Sequence, residues 1–247
     1  MKKTLVFTAT YNESENIASL CNQILNLVSD CDMLVVDDNS PDGTGRILDE
    51  LAATNSRLKV IHRPGKLGLG SAHEEAMEYA KNLHYESLVT MDADFSHDPN
   101  DIPRLLKALD GHDFVTGSRY MKGGSCNYSG YRRYISILAN WGARRLLGIK
   151  LHEMTTSFRG FRVDFLRRVD LGAIKSSGYS FFMEIVFRLS RVGARMTEVP
   201  ICFEDRRAGA SKIPPFEIFN GLSHLFYLAF LRLHWRRTQN EPENSNV

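Results

Sequence analysis

The sequence predicts an α/β protein: a mostly parallel sheet with helices on both faces, followed by a C-terminal apolar helix. Three observations predict it. Short apolar runs alternate with segments of helical period. The short runs are continuously apolar, as parallel strands covered on both faces are. Polar residues gather just beyond their carboxyl ends, where an open parallel sheet binds ligands.

The first strand is expected at residues 5–10. The opening MKKTLVFTATYNE turns polar too soon for a secretory leader, so its apolar run reads as that strand. Ile17, Leu20, Cys21, Ile24, Leu25 and Val28 then recur at helical spacing, with Asn12 as the expected N-cap and Glu15 three residues on. The cycle repeats with strands at 33–38, 58–63, 87–92 and 114–118. The intervening helices are expected at 44–53, 71–83 and 100–109. The second half is less regular. A helix is expected at 131–147, one or two more within 161–193, a strand at 196–201 and an apolar helix at 216–233. No internal repeat or low-complexity linker divides the chain. The expected organisation is one unit over 1–213, an interfacial helix over 214–237 and a disordered tail over 238–247.

Composition narrows the function. In 247 residues, 43% hydrophobic and 24% charged residues exclude a disordered, collagen-like or coiled-coil chain. A net charge of +2 is too small for a general nucleic-acid binder. Cys21, Cys31, Cys126 and Cys202 lack paired metal-ligand spacing and read as reduced, partly buried thiols of an intracellular protein. No uncharged apolar stretch reaches 18 residues, so no membrane span is expected.

The strand ends carry the chemistry. Strand one ends in Tyr11-Asn12-Glu13, strand two in Asp37-Asp38, strand four in Asp92-Ala93-Asp94 and strand five in Gly117-Ser118-Arg119. Two carboxylates one residue apart can hold a hard divalent cation whose shell is completed by water and phosphate. A lone D-x-D more often caps a helix, here the one near Pro99. The second acidic loop on the same edge favours the cation. Asp38 suits a ribose or base contact, whereas Asp42 suits capping of the helix from Thr44. A dinucleotide-binding fold would need G-x-G-x-x-G after strand one, where this chain has ATYNESEN. The glycines of 65–70 follow strand three, lack Walker spacing and frame Lys66, a candidate phosphate contact. Residues 114–152 hold seven basic side chains and no acidic one. Beside a ligand edge, that run suits an anionic acceptor or a membrane. Arg206, Arg207 and Lys212 form a second basic group, in sequence suited to a loop that closes over phosphates.

TYNESENI, VVDDNSPDGTG, KLGLGSA, MDADFSHDP, VTGSRY, the run 132–140, TTSFRGF and EVPICFEDRRAGASK together resemble the inverting glycosyltransferases of family 2, which have the GT-A fold. The nearer resemblance is to the dolichol- and polyprenol-phosphate mannosyltransferases. The blocks span residues 10 to 212 in order. The resemblance implies a base and ribose pocket at Ala9, Tyr11, Glu13, Val36 and Asp38. It implies diphosphate held through Mg²⁺ or Mn²⁺ at Asp92-Ala93-Asp94, with Ser96 in the metal shell. It places the acceptor phosphate at Arg119, Arg132 and Ser136, and the donor diphosphate at Arg206 and Lys212. Ala9 stands where the pattern usually has Pro, Glu153 where it usually has Asp, and Ser157 where Gly is frequent.

What the resemblance implies is transfer of mannose from GDP-mannose to dolichyl or polyprenyl phosphate, on the cytoplasmic face of a membrane. Asp94, Arg119 and Arg206 would carry the chemistry. A lipid monophosphate is already ionised near neutral pH and needs no protein base. UDP-glucose or another nucleotide-sugar is the alternative donor, and a non-catalytic nucleotide-sugar binding protein the alternative of another class.

Overall fold

The computed structural model describes residues 3–127, 131–176, 178, 180–204 and 216–240. The first half alternates as expected: β1 (Thr4–Thr10), α1 (Ile17–Leu27), β2 (Cys31–Asp37), α2 (Thr44–Thr54), β3 (Leu58–His62), α3 (Leu69–Asn82), β4 (Ser87–Thr90), α4 (Ile102–Leu109) and β5 (Phe114–Ser118). After them come β6 (Ser125–Cys126), α5 (Tyr131–Leu147), β7 (Arg159–Arg162), α6 (Val163–Leu166), α7 (Ser180–Arg191), β8 (Met196–Pro200), β9 (Cys202–Phe203) and α8 (Phe216–Asn240).

Seven strands form one sheet in the order β3-β2-β1-β4-β7-β5-β8, and β6 pairs with β9 apart from it. Within the large sheet, β7 alone runs antiparallel to its neighbours β4 and β5. The chain leaves β1 toward β2 and β3, then returns to β4 on the other side of β1. That reversal opens the ligand crevice of an open α/β sheet, and the loop after β4 lies on it.

Alternate residues of each apolar strand feed two cores. Leu5, Phe7, Leu34 and Val36 pack on one side with Ala72 and Ala76 of α3, Phe181, Phe182 and Ile185 of α7, and Leu225 and Leu228 of α8. Val6, Met33 and Val35 pack on the other with Ile17, Leu20 and Ile24 of α1, Leu48 of α2 and Leu105 of α4. This double coverage explains why the strands read as unbroken apolar runs.

Three expectations are corrected. Helix α1 starts at Ile17, and Asn16 rather than Asn12 takes the cap position; Asn12 is a turn residue with φ of 60°. β7 falls partly within a region expected to be helical. Its sequence RGFR has no apolar period, and it becomes a central strand because Arg159 can be buried there. Its guanidinium donates to the carbonyls of Thr156 (2.7 Å), Phe182 (2.8 Å) and Met154 (2.7 Å). Finally, α8 continues through 238–240, which were expected in the tail, and residues 241–247 lie outside the described residues.

Helix α8 is also more firmly part of the body than an appended helix. Leu225 and Leu228 are buried in the core shared with α7. His224 Nε2 lies 2.8 Å from Glu184 Oε2, close but off-line for a hydrogen bond. Arg232 Nη1 donates to the Leu146 carbonyl at 2.7 Å and so closes the C-terminal end of α5. It lies where a Cβ on Gly148, a residue with φ of 68°, would stand.

His73 of α3 is fully enclosed by the rings of Phe7 (4.9 Å), Phe181 (5.8 Å) and Phe182 (4.9 Å). Burial, with the nearby positive charge of Arg159, pushes its imidazole down to about 3. The unfolded chain therefore takes up a proton here near pH 6.5 that the folded chain refuses. Stability should fall as pH drops from about 6.5 toward about 3, by up to about 1.4 kcal/mol per pH unit from this residue. His73→Leu should flatten that part of the acid limb in urea unfolding followed across pH. An unchanged slope would show that His73 is not its source.

Candidate active site

The loops after β1 and β2 are braced by side-chain oxygens. Asp37 accepts from Thr10 Oγ1 at 2.8 Å, Ser40 Oγ at 2.6 Å and Ser40 N at 3.0 Å. The N–H groups of Asn12, Glu13 and Ser14 donate across to Ser40 Oγ, Thr44 Oγ1 and Asp42 Oδ2, each at 3.0 Å. Asp42 also accepts from Thr44 N at the start of α2, in the capping role expected of it. Burial would raise its pKa, but the hydrogen bonds from Thr44 and Ser14 outweigh it and hold the carboxyl at about 2.

The residues expected to line a nucleotide pocket lie along this edge. Val36 is fully buried in the core with Leu34 and Phe7, so its side chain supports the edge from within. Ala9 is partly buried against the same core. Tyr11 lies at the rim with Lys66 Nζ 4.4 Å from its ring centre, and Glu13 accepts from Asn16 Nδ2 at 2.9 Å. Asp38 is buried and ion-paired with Arg63. Arg63 also donates to Ser71 Oγ (2.8 Å) and the Gly68 carbonyl (3.0 Å), tying the glycine-containing loop to the end of β2.

The Asp92-Ala93-Asp94 loop is held by three further residues. Ser157 Oγ donates to Asp92 Oδ1 at 2.6 Å, and Ser96 N donates to Asp94 Oδ1 at 3.0 Å. The Asp92 N–H points to His97 Nδ1 at 3.3 Å, and His97 Nε2 lies 3.0 Å from Thr156 Oγ1. Nδ1 thus accepts and Nε2 carries the proton, the neutral tautomer. Burial lowers the His97 pKa despite the opposing pull of Asp92 and Asp94, in keeping with that assignment. Neither Asp92 nor Asp94 caps the helix near Pro99; Asp98 does so by accepting from Asn100 N.

Arg119 lies at the end of β5 with its Nε donating to Glu153 Oε2 at 2.8 Å and its Nη2 3.4 Å from Thr155 Oγ1. Glu153 is wholly buried. Burial would raise its pKa, but Arg119 and the Thr155 hydrogen bonds outweigh it and hold the carboxyl below its ordinary range. Asn140 of α5 reaches the same cluster, donating to Glu153 Oε1 (3.2 Å) and accepting from Met154 N (2.7 Å). Its amide also donates to the Ser136 carbonyl. Positions 132, 136 and 140 share one face of α5, the face from which Asn140 reaches Glu153. The Arg132 side chain, Arg206 and Lys212 lie outside what is described.

The donor set fits a hard divalent cation. Asp92 and Asp94 present oriented carboxylate oxygens, and among the described residues no group of three His, Cys, Asp or Glu stands together. Ser96 is buried beside them. Sequence reasoning missed Arg63, His97, Thr156, Asn140 and Glu198. Glu198 accepts from the N–H groups of His152 and Glu153. His97, two positions past Phe95 in MDADFSHDP, was open to the same reading as the D-x-D. The others carried no local signal. The two departures noted in Glu153 and Ser157 prove to be the partners of Arg119 and Asp92.

An open α/β sheet with paired carboxylates after β4 and an arginine after β5 is the frame of a GT-A glycosyltransferase. The chain belongs to glycosyl transferase family 2, whose family model matches residues 5–170. It is 41% identical over 215 residues to polyprenol monophosphomannose synthase of Mycolicibacterium smegmatis, spanning 86% of this chain and 81% of that one. It is 42% identical over 212 residues to undecaprenyl-phosphate mannosyltransferase of Micrococcus luteus, spanning 85% and 87%. Its fold is shared with glucosyl-3-phosphoglycerate synthase of Mycobacterium tuberculosis in complex with Mn²⁺, UDP and glucosyl-3-phosphoglycerate. That match has a TM-score of 0.65 at 19% identity and covers 94% of this chain and 80% of that one. The protein is therefore a glycosyltransferase.

The Arg119–Glu153 pair is testable apart from catalysis. Because the Glu153 pKa is depressed in the fold, its contribution is present above the unfolded carboxylate pKa and is lost as pH falls through the folded value. Glu153→Gln removes the carboxylate opposing Arg119 and should cost about 3 kcal/mol at neutral pH. The gap between variant and wild type, read from urea midpoints, should narrow on acidification. A gap independent of pH would mean that the charge is not what stabilises the cluster.

Proposed function

We propose that this glycosyltransferase transfers mannose from GDP-mannose to a polyprenyl or dolichyl phosphate with inversion at the anomeric carbon. The observation that carries the reading is the braced Asp92/Asp94 loop after β4 and the Arg119–Glu153–Asn140 cluster after β5 on one sheet edge. The Asp92/Asp94 loop offers a cation-mediated diphosphate site, and the Arg119–Asn140 cluster offers a phosphate site beside α5. The names of the two mannosyl-transferring relatives support the sugar and the acceptor class.

The acceptor phosphate is its own nucleophile, because its second ionisation lies near pH 6. The site agrees: His97, the imidazole beside the carboxylates, has both ring nitrogens engaged and serves to orient the Asp92 backbone. Arg119 would aim the acceptor oxygen, and Ser157 and the Ser96 N–H fix the two carboxylates in advance. A bound Mg²⁺ or Mn²⁺ would supply neutralisation of the departing nucleoside diphosphate. Arg206 and Lys212 are proposed as further diphosphate contacts on the strength of the sequence alone. Direct attack on an α-linked donor yields a β-linked product.

A lipid acceptor requires a lipid-facing surface, and the paired helices α5 and α8 supply one. Tyr134, Leu138 and Trp141 of α5 are exposed, as are Leu222, Phe226, Phe230 and Leu233 of α8. The spacings of three and four place each set on one helix face. Leu225 and Leu228 turn away from that face into the core. Among the described residues no helix is long and apolar enough to cross a membrane. These exposed apolar faces support peripheral docking, proposed on the cytoplasmic face.

The decisive assay offers radiolabelled GDP-mannose, UDP-glucose and UDP-GlcNAc with a short polyprenyl phosphate, with and without EDTA. Lipid-linked label is expected from GDP-mannose alone and only without EDTA; label from UDP-glucose alone would replace the donor. Asp94→Ala should fold normally and lose on the order of 10²-fold or more in turnover. Near-normal turnover would remove Asp94 from the diphosphate site.

For docking, Leu138→Gln combined with Phe226→Gln and Phe230→Gln should weaken co-sedimentation with anionic vesicles by about tenfold or more while leaving urea stability nearly unchanged. Deleting α8 outright should destabilise the fold, because Leu225 and Leu228 leave with it. Undiminished vesicle binding by the triple variant would place the docking surface elsewhere.

A further inference from the structure

Phe203 occupies a position that neither substrate site claims. It ends β9, three residues before Arg206 in the sequence. Its ring meets the His97 ring edge-on at 5.2 Å, with planes 75° apart. Arg119 Cζ stands 4.7 Å from the centre of the same ring. One aromatic side chain thus touches the imidazole that receives the Asp92 N–H and the guanidinium paired with Glu153. The backbone reinforces the junction. The next N–H, of Glu204, donates to the Ser96 carbonyl at 3.1 Å, and the Phe203 carbonyl accepts from Asn127 N at 2.9 Å. Asn127 Nδ2 closes the far side on Glu204 Oε1 at 2.8 Å.

We propose that Phe203 is a positioning residue that couples the donor-side carboxylate loop to the acceptor-side arginine. A phenyl ring suits the task. Its electron-rich face attracts a guanidinium, and its ring prefers an edge-to-face contact with a second ring. Leucine fills similar space and offers neither interaction. With the ring gone, Arg119 loses the surface that flanks its pairing with Glu153. His97 loses one ring that flanks it and keeps Phe158 at 5.1 Å. The inference rests on the proposed function in assigning Asp92 and Asp94 to the donor diphosphate and Arg119 to the acceptor phosphate.

The test compares Phe203→Leu and Phe203→Tyr in the full chain. Three readouts are followed: affinity for Mn²⁺ with GDP by calorimetry without acceptor, acceptor KM, and the His97 ring resonances by ¹H–¹⁵N NMR. Phe203→Leu should fold with a near-normal melting midpoint, shift the His97 resonances and weaken Mn²⁺–GDP binding several-fold. It should also raise the acceptor KM by about tenfold. Phe203→Tyr, which keeps the ring, should restore all three. If Phe203→Leu does not fold, Phe203→Met takes its place. A folded, ring-less variant with unchanged Mn²⁺–GDP affinity and acceptor KM overturns the proposal, as does one that loses only turnover. If the wild type transfers no mannose to lipid, the functional reading fails by itself. The NMR arm still decides whether Phe203 couples to the carboxylate loop through His97.

Discussion

The buried guanidinium of Arg159 is the constraint on which the site depends. A charge this deep is costly, and desolvation pulls its pKa down to about 9. It is tolerated because three carbonyls, those of Met154, Thr156 and Phe182, converge on it. Two of those carbonyls belong to the turn that leads into β7. Fixing that turn fixes everything it presents. Glu153 and Thr155 meet Arg119, Thr156 meets His97, and Ser157 meets Asp92. Thr90 at the end of β4 donates to the Ser157 carbonyl and locks the turn to the strand that carries the carboxylates. The antiparallel strand is therefore the bridge between the carboxylate loop after β4 and Arg119 after β5.

Electrostatic preorganisation follows from this bridge. Ser157 Oγ and the Ser96 N–H each orient one carboxylate of the Asp92/Asp94 pair. Arg119 and Arg63 are each set against a buried carboxylate, which fixes their planes without long, mobile side chains having to find a geometry during the reaction. Such buried pairs contribute little net stability, because desolvation offsets their attraction. Their use here is placement. The cost of breaking one is high for the same reason that the gain from making it is small.

Helix α8 shows why a weakly amphipathic sequence need not be a poor surface helix. One side closes the core through Leu225 and Leu228 and is tied to α7 by His224 and to α5 by Arg232. The other side presents Leu222, Phe226 and Phe230. An apolar residue on both faces cancels the periodic signal, so a helix that packs on protein with one side and exposes apolar side chains on the other looks uniformly apolar.

The sequence by itself determined the β/α alternation, the two-sided core and the edge on which ligands bind. These are consequences of local pattern: strand and helix periods, and acids immediately after apolar runs. It also determined family membership, since the eight blocks lie in order along the chain. Tertiary structure alone decided that RGFR becomes a central strand, that Glu153 pairs with Arg119, that Ser157 orients Asp92, and that Leu225 turns inward while Phe226 turns out. Arg119 and Glu153 are 34 residues apart, Ser157 and Asp92 65. No local period encodes contacts at such separation. They exist only once β7 has inserted between β4 and β5, and the burial of Arg159 that permits this needs carbonyls from two distant segments at once.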